Sequence, residues 1–126
     1  MEINGRTIGF RRTVYANCKM SDASPNGNIG NLIEQLIDKE NYARSQRAAA
    51  IMITALNEGY ETHKHVVDPD YAPNPIKAEE LMSLDDAEFS ALFDEAFAVF
   101  RGDAKTTVEV EPPKAGKKKA QGGKSD

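Results

Sequence analysis

The 126-residue chain is 40% apolar and 29% charged, with a formal net charge of −4, the profile of one soluble domain with a single modest core. No apolar run approaches the roughly 20 residues that a membrane helix needs, and an acid at position 2 with no apolar stretch behind it excludes a secretory signal. Cys18 is the one cysteine, which excludes an internal disulfide and points to a reducing compartment.

The first element is a short hairpin over residues 1–10. Asn4-Gly5 tolerates the positive φ of a type I′ turn, and Ile3, Ile8 and Phe10 flank it. Such a hairpin is marginal alone and must lean on helices. Residues 13–20 predict a short helix with Val14 and Cys18 four apart on its apolar side, Cys18 acting as a small buried apolar residue. Residues 21–28, "SDASPNGN", are dense in turn formers and read as a loop.

Ile29, Leu32, Ile33, Leu36 and Ile37 then follow the spacing of one helical face, with Asn28 or Asn31 as its cap. The longest helical pattern covers 42–65. Its stripe is Ala49, Met52, Ile53, Leu56 and Tyr60, the alanine run favours helix, and Gly59 is expected to weaken or bend it. Arg44 and Arg47 fall on its surface, where they can supply an oligomer contact. Residues 66–76 hold Pro69, Pro73 and Pro75 and predict an extended crossover. Pro75 suits the first position of a short helix through Met82. Ser83, with Asp86 three residues on, resembles a capping box opening the last helix. Phe89, Leu92, Phe93, Ala96, Phe97 and Phe100 share its apolar face, and Gly102 stops it. Residues 106–113 are compatible with a brief edge strand. The fold class is mainly α: a small helical domain over 1–102 with a short N-terminal β-hairpin, and a disordered, lysine- and glycine-rich tail over 103–126.

Charge is divided unevenly. Residues 1–67 are nearly balanced, 68–111 hold three Lys/Arg against twelve Asp/Glu, and 112–126 hold five lysines against one aspartate. A duplex-binding domain sets its basic residues on a folded face. Here the densest basic cluster adjoins the most acidic third of the chain, which repels phosphate and argues against nucleic acid as the main partner.

No catalytic or cofactor-binding constellation emerges. His63 and His65 are two apart, so on a helix they point away from each other and clamp no metal. The carboxylates Asp85, Asp86, Glu88, Asp94 and Glu95 lie on the polar side of an amphipathic helix, the first three where acids suit the helix dipole. "NGNIGN" at 26–31 matches neither a dinucleotide fingerprint nor a P-loop. The expectation is a non-enzyme without metal or cofactor. The phenylalanine face reads first as core. Its alternative is a partner-binding surface built from Phe93, Phe97 and Phe100, or from the Met52, Leu56 and Tyr60 side of the long helix.

The stretches "MEINGRTIGFRRTVYAN", "YARSQRAAAIMITALNEGYE" and "DAEFSALFDEAFAVFRGDAKTTVEVEPP" resemble the tail assembly chaperones of long-tailed bacteriophages. The likeness spans nearly all of residues 1–113 and is one of layout, with no diagnostic motif. It implies a helical protein that binds the tape measure protein, keeps it soluble while tail tube subunits polymerise around it, works in the host cell cytoplasm and is absent from the mature virion. It also implies a programmed frameshift whose longer product recruits the tail tube protein. Lys117, Lys118 and Lys119, or Gly122, Gly123 and Lys124, are candidates for the frameshift-encoded stretch, because such codons supply a repeated-base heptamer. Multivalent binding along a long client suggests self-association. The competing expectations are a small nucleic-acid-associated protein using its basic tail, and a minor structural tail or connector protein.

Overall fold

A computed structural model describes residues 1–103. The expected edge strand at 106–113 and the lysine and glycine residues at 117–124 lie outside the described residues. The chain runs β1 (Glu2–Ile3), β2 (Arg6–Thr7), α1 (Val14–Ala23), a 3-10 turn (Pro25–Gly27), α2 (Ile29–Leu36), α3 (Tyr42–Val67), α4 (Ala78–Met82) and α5 (Asp86–Arg101). It is a mainly helical fold with an N-terminal hairpin, as its sequence predicts. No described helix is long and apolar enough to cross a membrane.

The hairpin pairs Glu2 with Thr7 and Ile3 with Arg6. Asn4 and Gly5 both take positive φ, 52° and 81°, which is what a two-residue type I′ turn requires. Ile3, Ile8 and Phe10 are buried, so the hairpin is a lid on the helical core. Thr13 caps α1 by accepting from the Ala16 backbone N–H. The helix runs on to Ala23, through the first part of the expected loop. Its packed side is Ala16 and Met20. Val14 is 78% exposed and Cys18 is exposed as well, which corrects the expected Val14–Cys18 stripe.

Gly59 explains that correction. A Cβ there would lie 2.6 Å from the Arg11 carbonyl oxygen and 3.0 Å from the Ala16 Cβ. The bare backbone of α3 lets α1 come close enough to bury a small residue, and α3 continues through Gly59 to Val67 without interruption. The expected weak point is a close-packing point.

Asn28 caps α2 through the Gly30 N–H. Leu32 is buried, and Ile29, Ile33 and Leu36 pack partly against the core, but the helix ends at Leu36 and leaves Ile37 69% exposed. Two further helix starts differ from expectation. α4 begins at Ala78, not at Pro75, because Lys77 is its cap and the Glu80 side chain accepts from the Lys77 N–H. α5 is capped by Asp85 with Glu88 reaching back to the Asp85 N–H. Ser83 instead closes α4, its backbone N–H bonded to the Glu79 carbonyl. Gly102, at φ 84°, ends α5: its N–H reaches the Val99 carbonyl and the Asp103 N–H reaches that of Ala98, a Schellman closure.

Candidate partner-binding groove

The residues expected at a partner surface divide between core and edge. Met52 and Leu56 are fully enclosed, so in this fold they present nothing to a partner. Phe100 is 8% exposed, with the Arg12 guanidinium 4.0 Å over its ring and bonded to its carbonyl. Phe93 and Phe97 are half-buried and stacked on each other with centroids 5.4 Å apart, and Arg101 lies over Phe97. Phe89 is buried. The core reading therefore holds for Phe89 and Phe100, while Phe93 and Phe97 show one edge. Tyr60 is half-buried and its ring lies against Gly9, where a Cβ would approach to 2.6 Å.

Away from the core stripe, α3 carries a second line of residues at alternating spacings of four and three: Ala43, Arg47, Ala50, Thr54, Asn57 and Glu61. These share one face of a helix. The two halves of that face are treated differently. Asn57 and Glu61 are 1% and 4% exposed. The Asn57 side-chain oxygen accepts from the Ile76 N–H at 2.7 Å and its amide donates to the Gly9 carbonyl at 2.8 Å. The Glu61 carboxylate accepts from the Tyr71 hydroxyl and from the Asn74 N–H. Buried polar groups need such partners, and these supply them while pinning the crossover 68–77 along α3. Burial and the bond to Glu61 push the Tyr71 phenol up to about 12.

Over 43–54 the same face lies open. One hollow of about 260 Å³ is lined by Lys19 and Ala23 of α1, Ala50, Ile51, Thr54 and Ala55 of α3, and Ala78, Leu81 and Met82 of α4. A second, of about 300 Å³, shares Leu81 and Met82 and continues over Ala43, Gln46 and Arg47 to Leu84, Asp86 and Phe89. Meeting at Leu81 and Met82, they make a groove floored by Ala50, Ile51, Thr54 and Ala55 in one half and by Ala43, Gln46 and Arg47 in the other. Met82, 61% exposed at its edge, has an adaptable thioether chain suited to a variable apolar surface.

No family model, curated protein or solved structure matches the chain.

Several of the other chemistry-bearing residues have structural employment. Asp85 and Glu88 cap α5, Asp86 accepts from Gln46 at 3.0 Å, and Glu95 meets the Met1 ammonium at 3.2 Å. Asp94 is exposed. His63 and His65 sit in the last turns of α3, with His65 Nδ1 2.7 Å from the Tyr71 carbonyl. Burial, with a smaller contribution from Arg11, lowers the His63 pKa. Among the described residues no three His, Cys, Asp or Glu side chains gather as a metal site. The groove residues Ala43, Ala50, Ile51, Thr54 and Met82 escaped the sequence reading. The signal that points to Ala43, Ala50 and Thr54 is the second line of spacings on α3, to one side of the apolar stripe, whereas Ile51 and Met82 lie off that line.

Proposed function

We propose that the protein is a binding protein for a helical client and, on the resemblance in its sequence, a bacteriophage tail assembly chaperone that holds the tape measure protein in the host cytoplasm. The observation that carries the binding reading is the pair of adjoining hollows over Ala43–Thr54, the first lined mostly by apolar side chains and the second bordered as well by Gln46, Arg47 and Asp86. Helix-in-groove recognition uses surfaces of this kind, with a client's apolar stripe laid onto short side chains. The acidic surface of the crossover, α4 and α5 favours solubility of a loaded complex. In this reading a frameshifted longer form recruits the tail tube protein, and neither form remains in the mature virion.

The experiment is co-expression with the tape measure protein encoded beside it. The expected result is a soluble complex that co-purifies with the client, where the client alone is insoluble. A client that stays insoluble, with no complex formed, removes the reading. Recovery of the protein in fixed stoichiometry from purified particles points instead to a structural tail component.

A further inference from the structure

Two Asn-Gly pairs occur in the chain, Asn4-Gly5 and Asn26-Gly27. All four residues are exposed and take positive φ, 52° and 81° in the first pair and 56° and 69° in the second. Asparagine before glycine is open to attack on its own side chain. Glycine has no Cβ to shield its backbone nitrogen and leaves that nitrogen a wide choice of approach. On sequence the two pairs are alike. The structure separates them.

Gly27 is fastened on both sides. Its N–H donates to the Ser24 carbonyl at 3.0 Å, and its own carbonyl accepts from the Ser21 hydroxyl at 2.6 Å. Beside it the Asn28 N–H and the Asn31 side-chain amide both donate to the Pro25 carbonyl. Gly5 is the second residue of a two-residue turn between the paired Ile3 and Arg6. Its N–H meets no acceptor among the described residues, and neither does the Asn4 carboxamide have a partner there. The nitrogen that must lose its proton is therefore held at Gly27 and unheld at Gly5.

We propose that Asn4-Gly5 is a self-modification site, at which the Gly5 backbone nitrogen closes on the Asn4 side chain and the product unfastens the hairpin from the core. Hydroxide takes the Gly5 N–H proton, the nitrogen bonds to the Asn4 Cγ, and the side-chain nitrogen leaves as ammonia with a proton from water. Water then opens the succinimide ring. Breaking the ring bond to Cγ leaves aspartate. Breaking the bond to the original backbone carbonyl leaves isoaspartate, with the main chain running through Cγ. That product lengthens the turn by one main-chain carbon, and hairpin register depends on turn type and loop length. The buried Ile3 and Ile8 then lose their seating, and Arg6 lets go of the Asn74 carbonyl and of Glu80. The loosening stops at Gly9, whose carbonyl Asn57 holds, and at Arg11, whose N–H donates to the Leu56 carbonyl at 3.0 Å. The site is independent of the client-binding reading.

The test warms the full chain in mildly alkaline buffer and follows both pairs by peptide mass mapping, with fragmentation that tells isoaspartate from aspartate. In the folded chain conversion at Asn4 is expected to run about fivefold faster than at Asn26, the advantage of having no backbone hydrogen bond to break first. In urea the two rates should converge. Hydrogen exchange of the purified isoaspartyl form should be faster over residues 2–8 and unchanged from Arg11 onward. Asn4→Gly keeps a residue suited to positive φ and removes the carboxamide, so it should yield no product at position 4 and keep the original exchange pattern on warming. Conversion in the folded chain that is equal or faster at Asn26, or absent at Asn4, overturns the proposal. So does a rate gap that persists in urea, or an isoaspartyl form whose exchange over residues 2–8 matches that of the unmodified chain.

Discussion

One face of α3 is finished in two ways. Toward its C-terminal end, Asn57 and Glu61 receive the crossover through bonds to Tyr71, Asn74 and Ile76, and Asn57 also holds the Gly9 carbonyl of the N-terminal segment. Toward its N-terminal end, Ala43, Arg47, Ala50 and Thr54 line an open groove. The crossover runs antiparallel to α3 and makes its last side-chain pin at Ile76. α4 then becomes a wall of the groove instead of its cover. The covered half shows what this face needs in order to hold a segment of its own chain: a buried amide and a buried carboxylate. The open half offers alanines and a threonine, which fix no extended backbone and suit a partner that brings its hydrogen bonds with it.

Substitutions can break or sharpen this contrast. The largest loss is expected where α3 meets α1. Gly59→Leu drives a side chain into the Arg11 carbonyl and Ala16, and should cost about 3 kcal/mol in denaturant unfolding. Asn57→Ala strands the Gly9 carbonyl and the Ile76 N–H, both at buried residues, and should cost about 2–3 kcal/mol. A loss below about 0.5 kcal/mol would remove the distinction between pinned and open halves.

Tyr71→Phe removes one donor to Glu61 and leaves the other, Asn74, in place, for a loss of about 1 kcal/mol. It also carries a pH signature. The folded phenol titrates at about 12 against an ordinary value of 10.0, so the native state holds its proton where the unfolded chain has released it. The stability it contributes is fully present below about pH 10 and disappears as pH rises through about 12. Melting temperatures across that window should fall more steeply for the wild type than for Tyr71→Phe. In the open half, Ala50→Trp should move stability by less than about 0.5 kcal/mol, since the added ring enters the groove and not the core.

The main helices, the Asn4-Gly5 turn and the Gly102 stop are legible in the sequence because each depends on residues close in the chain. The failures have a common cause. Ser83 with Asp86 looks like a capping box, but Asp85 with Glu88 makes the better one, since the longer glutamate side chain reaches back to the cap N–H. Val14 and Cys18 look like a stripe because periodicity weighs large apolar residues, whereas α1 packs through Ala16 against the space Gly59 provides. Asn57 and Glu61 read as surface on polarity alone. Their partners lie ten to forty-eight residues away, and nothing local announces them. The groove is harder still. Ala43 and Ala50 register as helix propensity, and whether their face is covered depends on the course of the chain over 68–85.

The Asn57 side chain is bonded at once to residues 9 and 76, two segments that reach each other only across an already formed α3. Closing both loops is entropically expensive until that helix exists, which places these bonds late on the folding path. Asn57→Ala should therefore leave the refolding arm of a chevron nearly unchanged and raise the unfolding rate. The carboxamide acts as a clasp, governing how long the native state lasts more than how quickly it is reached.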